Sequence, residues 1–249
     1  MLWLEILLLT LLAGMSMPLG ALIARFERIR PRWLEHEFRH SVIAFGGGAL
    51  LSAVALVLVP DGIEHHDTDF ALLWFILGGL VFMLIDILLN LFKTSASQLV
   101  AMLSDFIPES IALGAAFALG GSNGLLLALL IGLQNLPEGF NAYRELRLSS
   151  HYSSKRIITT FALMALLGPV AGLAGYAWLS AYPSIVAAIM LFAAGGILYS
   201  VFQDIAPQVK LARHWGPPMG AVFGFALGIA GMGAVFGFAL GIAGHILTA

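Results

Sequence analysis

The segment LWLEILLLTLLAGMSMPLGALIA, residues 2–24, is followed directly by RFERIRPR, residues 25–32. An apolar run of this length can cross a hydrocarbon core of about 30 Å. A secretory signal peptide carries its basic cluster before the apolar run, whereas here the cluster follows it. The order of the two segments therefore favours a retained transmembrane helix.

Seven further apolar runs follow, centred near residues 50, 80, 110, 130, 167, 193 and 230. Each is long enough to span a bilayer, and short loops separate them. No Pro-rich, Ser-rich or charged linker divides the chain. We therefore expect one domain, residues 1–249, of the all-α class: a polytopic membrane bundle of eight transmembrane helices.

The composition excludes several classes of protein. Of the 249 residues, 60% are hydrophobic and 10% are charged, and the mean hydropathy is +0.95. Lipid must be the main solvent of such a chain, so we expect a multi-pass protein of the cell membrane. A formal net charge of −2 excludes nucleic acid as a partner, because phosphate binding needs an excess of Lys and Arg. Without any Cys, a metal must be held by oxygen or imidazole.

The loop charges predict the orientation of the bundle. All 12 Lys and Arg residues follow odd-numbered spans, and the loops 61–69, 120–124 and 181–184 carry none. The positive-inside rule then places both termini on the outer side of the membrane. The segregation also supports eight spans, because a wrong count would have mixed basic residues into both sets of loops.

The last span contains a perfect tandem copy, since MGAVFGFALGIAG at residues 219–231 recurs at 232–244. Solenoid repeats need longer units that stack on one another. We interpret the copy as a local duplication, and it predicts an unusually long eighth helix.

Two spans carry related polar motifs, DFIPE at residues 105–109 and QNLPE at residues 134–138. A carboxylate at the bilayer centre costs about 2.5–3.5 kcal/mol, so each needs a reason. A spacing of four residues places Asp105 and Glu109 on one helix face. The same holds for Gln134 and Glu138, so two facing helices can bring four oxygen-bearing side chains together. We predict a metal site formed by these four residues.

The prolines in both motifs strengthen this prediction. Pro108 and Pro137 cannot donate to the carbonyls of Ser104 and Leu133, which are left available as acceptors. Carboxylates, an amide and free carbonyls suit hard or borderline divalent cations. The structural alternative is that the acids are protonated and hydrogen-bond across the bundle. Such hydrogen bonds do not require the same spacing twice, which favours the metal site.

At these motifs the sequence resembles the ZIP family of divalent-metal transporters, whose fourth and fifth helices carry a polar residue and then Pro-Glu-Gly. LVLVPDGIEHH at residues 56–66 and AAGGILYSVFQDIAP at residues 193–207 also look like family features. The resemblance implies inverted repeats of the first three and last three helices around a central pair. It also implies metal transport toward the cytoplasm by alternating access, and a homodimer. Asp105, Glu109, Gln134 and Glu138 match the principal metal ligands of the family.

Three departures from the family pattern favour one metal ion over two. The position usually held by His in the fourth helix is Asp105, and the neighbouring polar position is Phe106. The sixth helix reads Leu167-Gly168-Pro169, so the bridging Glu that the family often has before this proline is missing. We expect a single divalent cation as substrate, Zn²⁺ first with Fe²⁺, Mn²⁺ and Cd²⁺ as alternatives, and no organic cofactor.

Other polar residues are candidates for the metal pathway: Asn135, Gln203, Asp204, Asp61, Glu64, His65 and His66. Asp204 lies near the cytoplasmic end of the seventh span, where it could receive a departing cation or simply be solvated. The acidic and histidine-containing loop 61–69 lies on the predicted outer face. It could collect cations, and solvated acidic residues are the equal alternative.

The sequence predicts a transporter, not an enzyme. No Walker-type loop, HExxH or GxSxG motif is present, so neither a nucleotide-driven pump nor a familiar hydrolase is indicated. Two alternatives stay open. The paired acids could form an intramembrane metal-dependent hydrolase, or the chain could be a transport-inactive sensor or scaffold of the same fold.

Overall fold

The computed structural model describes residues 2–27, 32–92, 95–118, 123–179, 181–209 and 215–248. Within these ranges the chain consists of helices joined by short turns, and no strand is formed. The all-α class expected from the sequence is confirmed. Several basic residues used for the orientation argument lie outside the described ranges: Arg28, Arg30, Lys93, Lys210 and Arg213.

We number the helices by span. The bounds are α1 Leu2–Phe26; α2 Arg32–Ala53, continued by a π-helical turn Val54–Leu58 and a short helix Val59–Ile63; α3 Thr68–Phe92; α4 Ser95–Ala118; α5 Asn123–Ser149; α6 Ser154–Ala165, continued by Leu167–Ala174 and a π-helical turn Gly175–Leu179; α7 Pro183–Ser200, continued by a π-helical turn Val201–Ile205 and Ala206–Val209; and α8 Gly216–Thr248.

Seven of the described helices are long and apolar enough to cross a membrane, so the chain is a polytopic helical membrane protein. The eighth long helix, α5, has 27 residues and a length of about 40 Å at 1.5 Å per residue. It is less apolar because it carries the QNLPE motif and a polar, basic C-terminal end. The last helix, α8, runs unbroken for 33 residues, which confirms the long helix expected from the tandem copy.

The helix pairing is symmetric. Extensively packed pairs include α2 with α8, α1 with α5, α3 with α7, and α4 with the second half of α6. Exchanging α1 with α6, α2 with α7, α3 with α8 and α4 with α5 converts this set of pairs into itself. Successive spans cross in opposite directions, so this is the pattern expected of two inverted three-helix repeats around a central α4–α5 pair.

α2 and α7 share a widened turn near their C-terminal ends. In each helix a five-residue π-helical turn precedes a short helix, which contains Pro60 in α2 and Pro207 in α7. A proline cannot donate to the preceding turn, so the helix there is free to widen. In α7 this turn contains Asp204 and directly follows Ser200, which places both residues beside the central pair.

Glycines set the distance between paired helices. Gly20 of α1 packs on the backbone carbonyl of Leu136 in α5, and Gly139 of α5 packs on the carbonyl of Met17. A methyl group at either glycine would overlap the carbonyl oxygen. The same kind of contact recurs in the other pairs, at Gly48, Gly78, Gly114, Gly175, Gly195 and Gly224. Small residues thus let helix backbones touch, which is a main source of packing energy within lipid.

Two glycines of α8 provide a matched test. An added Cβ at Gly224 would meet the Phe45 carbonyl of α2, whereas one at Gly233 would meet no atom within 4 Å. We expect Gly224→Ala to destabilise the protein by about 1–3 kcal/mol through overpacking, which lowers the melting temperature in detergent by at least ~2 °C. Gly233→Ala should leave the melting temperature unchanged or raise it. Equal effects of both substitutions would show that the α2–α8 contact does not depend on a glycine.

Candidate metal site

The two polar motifs meet at the α4–α5 interface. The Gln134 side-chain Nε2 donates to both carboxylate oxygens of Glu109, at 2.6 Å each. Glu109 is 1% exposed and Gln134 is 3% exposed. The polar faces of α4 and α5 therefore lie against each other, as the spacing of four residues in each motif predicts.

Asp105 and Glu138 lie beside this pair and line a cavity of about 350 Å³ together with Gln134. Ser200 of α7 hydrogen-bonds to the Asp105 carboxylate. Two further acceptors, Asp105 Oδ1 and Gln134 Oε1, are buried without a hydrogen-bond partner in the described part of the chain. The structure therefore brings the four predicted ligands together, with more buried acceptors than donors.

The charges at the site all have one sign. Glu138 lies within electrostatic range of three other carboxylates, those of Asp105, Glu109 and Asp204. Among the residues that the structure describes, no Lys, Arg or His lines the cavity. Buried charges without a partner of opposite sign are strongly destabilising, and unsatisfied buried acceptors add to that cost. A divalent cation would reduce both costs, because it would neutralise the carboxylates and bind the unpaired oxygen atoms.

The cavity extends from the site toward the end of the bundle that carries the basic residues. Its wall includes Asn90 of α3, Glu145 of α5 and Gln208 of α7, all close to that end of their helices. Glu145 accepts from Asn141, which in turn accepts from Arg39 of α2, with both distances 3.1 Å. The cavity thus leads from the basic end to the motifs.

Apolar packing closes the opposite side of the site. Leu113 lies one turn beyond Glu109, and Leu130 lies one turn before Gln134, so both are on the side away from the basic end. Both are fully buried. Glu109 itself is not part of the cavity wall. The site is therefore reached from one side of the bundle and sealed on the other.

Phe106 occupies the space next to the site. Its ring is 1% exposed, and its Cζ lies 2.8 Å and 2.6 Å from the positions that a Cβ would take on Gly14 and Gly168. A side chain at position 168 has no room unless this ring moves. The departures at Phe106 and Gly168 are therefore one packing arrangement, and it supports a single cation site over a pair.

Two of the predicted pathway residues point away from the cavity. Asn135 is buried and donates to the Ala13 carbonyl at 3.0 Å, so it ties α5 to α1. Gln203 is exposed and lies in a surface pocket beside Phe202 and Tyr199. Its neighbour Asp204 lines the cavity, because consecutive residues of a helical turn point in different directions.

The predicted outer residues lie at the other end of the bundle from the basic residues. Glu64 and His65 are exposed. The His66 Nε2 is 2.8 Å from the Ser184 carbonyl, and its ring packs on Phe70. His66 thus fastens the turn after α2 to the start of α7. A role of Asp61, Glu64, His65 and His66 in collecting cations stays a prediction.

Sequence reasoning missed Asp86 of α3. Asp86 lines the cavity, accepting from Asn90 at 2.9 Å and from the Tyr199 hydroxyl at 3.1 Å. The Asp-x-x-x-Asn spacing within an apolar span could have indicated this polar face.

Within the described ranges, no group of three or more His, Cys, Asp or Glu side chains is placed so that it could hold a metal ion. The reason is visible in the rotamers, since both oxygens of Glu109 face the Gln134 amide, and Glu109 is absent from the cavity wall that Asp105 and Glu138 share. Side-chain rotation is therefore needed before the four oxygens could surround one ion.

No protein-family model matches the chain, and no curated protein matches it significantly. The fold and the site define the class: a polytopic helical membrane protein with a buried carboxylate and amide site at the end of a one-sided cavity.

Glu138→Gln tests whether like-charge repulsion strains the site. The change removes one carboxylate from a group of four and keeps the shape of the side chain. We expect the purified protein in chelator to gain about 1 kcal/mol or more, because a buried charge without an opposite partner is removed. Thermal unfolding in detergent would measure it. Glu5→Gln, an exposed change at the start of α1, is the control and should have no effect. A lower melting temperature for Glu138→Gln would mean that the carboxylate stabilises the fold.

Proposed function

We propose that the protein is a secondary transporter that carries a divalent metal cation toward the cytoplasm by alternating access. The observation that carries this proposal is the surplus of buried oxygen acceptors, Asp105 Oδ1 and Gln134 Oε1, among four carboxylates at the end of a cavity. A structural hydrogen-bond network would be satisfied internally. A site that binds and releases a cation needs acceptors that the protein itself leaves unpaired.

The donor atoms indicate the class of cargo. Every polar side chain that the structure describes in the cavity wall is a carboxylate, an amide or a hydroxyl, with no imidazole or sulfur among them. Oxygen ligands suit Mn²⁺ and Fe²⁺ and are acceptable to Zn²⁺, whereas Cu⁺ prefers softer ligands. The cargo we propose is therefore a hard or borderline divalent cation, bound one at a time.

The architecture supports alternating access. Inverted repeats around a central pair can exchange roles when one repeat rocks against the other. The cavity reaches the site from one side, and Leu113 and Leu130 seal the other side. At several glycines the backbones of paired helices are in direct contact. This pairing and the two Pro-Glu motifs are also why we propose membership of the ZIP family.

We propose that the protein lies in the cell membrane with both termini outside. The chain lacks Cys, so single cysteines can be introduced for labelling. A maleimide that cannot cross membranes should label Asp69→Cys, in the first turn of α3 beside the loop without basic residues, on intact cells. It should label His151→Cys only after the cells are permeabilised. Both side chains are exposed. The reverse labelling pattern would invert the orientation and make the proposed direction of transport outward.

Uptake into proteoliposomes tests the function. Wild-type protein should accumulate at least one of Mn²⁺, Fe²⁺, Zn²⁺ and Cd²⁺. Glu109→Gln and Glu138→Gln should each lower uptake by about a hundredfold or more, because even residues that only support a metal ligand cost 10–100-fold when removed. Glu5→Gln keeps the same chemical change away from the site and should transport normally.

Two results would contradict the proposal. Vesicles that bind a cation without accumulating it would point to a sensor or scaffold. Uptake that survives both site substitutions would mean that the cation crosses the bundle by another route.

A further inference from the structure

Gln134 presents two chemically different atoms to two sides of the site. Its Nε2 faces Glu109 and donates to both carboxylate oxygens. Its Oε1 is buried without a hydrogen-bond partner, and the residue forms part of the cavity wall with Asp105 and Glu138. The amide therefore stands between the sealed carboxylate and the open part of the site.

Glu109 depends on this one donor. The carboxylate is 1% exposed, and among the described residues no other side chain donates to it. The ionisable groups nearest to it are acidic, since both Asp105 and Glu138 interact with it electrostatically. Without the amide, Glu109 would be a buried charge surrounded by like charges, which is strongly unfavourable.

The same amide can serve as a cation ligand only after it turns. A cation bound by Asp105, Glu109 and Glu138 needs the Gln134 oxygen directed at it, and the NH₂ group directed away. Rotation of the terminal amide exchanges the two atoms, and this torsion has a broad, roughly two-fold profile with low barriers. When a cation is bound to Glu109, that carboxylate no longer needs the NH₂ donor.

We propose that Gln134 is a two-position shutter that lets the transporter return without cargo. With no cation bound, its NH₂ group donates to Glu109. The unloaded protein can then change from one access state to the other without leaving that carboxylate unpaired. With a cation bound, the amide turns and its oxygen completes the ligand set. This inference rests on the proposed transport function and adds to it the residue that makes the unloaded step possible.

The shutter predicts a separation of two kinetic modes. Net uptake requires the unloaded carrier to return, whereas exchange of metal for metal uses only the loaded carrier. Gln134→Glu keeps an oxygen ligand and removes the amide donor to Glu109. We expect net uptake of radioactive Mn²⁺ or Zn²⁺ into metal-free vesicles to fall by about tenfold or more, because an unsatisfied buried charge is costly. Exchange into vesicles preloaded with the same unlabelled metal should fall less, so that the ratio of exchange to net uptake rises by about threefold or more over wild type, since the loaded carrier keeps an oxygen ligand at position 134.

A swapped pair separates this role from simple ligand loss. Glu109→Gln combined with Gln134→Glu restores one amide and one carboxylate at the same contact, with the donor on α4 instead of α5. Net uptake should recover several-fold over Gln134→Glu alone, whereas Glu109→Gln alone, which loses a charged ligand, should impair both modes.

The outcomes distinguish the two proposals. If wild-type protein catalyses neither uptake nor exchange, the proposed transport function is wrong, and the proposed role of Gln134 is wrong as well. If wild-type protein transports but Gln134→Glu impairs net uptake and exchange equally, or impairs neither, transport stands and the shutter is overturned. A swapped pair that transports no better than Gln134→Glu, with both proteins equally folded by thermal unfolding, would overturn it as well.

Discussion

The hydrogen bonds from the Gln134 amide to the Glu109 carboxylate join the two central helices, and the bundle is arranged to keep this contact away from lipid. Lipid offers no hydrogen bonds, so a polar group at this depth must find its partner inside the protein. α1 and α2 pack on α5, and α6 and α7 pack on α4. Each motif helix is thus covered by two others, and the symmetry of the fold follows from covering both in the same way.

Close backbone packing is the second requirement. Helices in lipid gain little from hydrophobic burial alone, because lipid tails are as apolar as leucine. The glycines at the paired interfaces bring carbonyls of one helix against the backbone of the next, which increases dispersion contacts.

The site shows a trade between stability and function. A protein selected only for stability would pair every buried acceptor, yet Asp105 Oδ1 and Gln134 Oε1 are left without partners. The carboxylates of Asp105, Glu109 and Asp204 all act on Glu138, and a cation or protons would relieve the repulsion among them. Phe106, by contrast, fills its slot against Gly14 and Gly168 completely. The Phe106 ring thus closes the space next to the site, while the cavity beside Asp105 and Glu138 stays open.

Much of the fold and of the site could be predicted from the sequence, because lipid imposes local rules. Apolar runs of sufficient length form membrane-spanning helices, and the basic residues of the loops predict their orientation. A spacing of four residues places Asp105 with Glu109, and Gln134 with Glu138, on common helix faces. These rules involve only residues near one another in the chain.

Tertiary structure alone decided which distant groups meet. Asp86, Ser200 and Asp204 belong to the cavity, and Gln203 does not, because a widened turn in α7 and the pairing of α3 with α7 set those directions. The orientation of the Gln134 amide depends likewise on a carboxylate 25 positions earlier. A sequence pattern specifies the face of a helix, but the partner of that face is chosen by packing across the whole bundle.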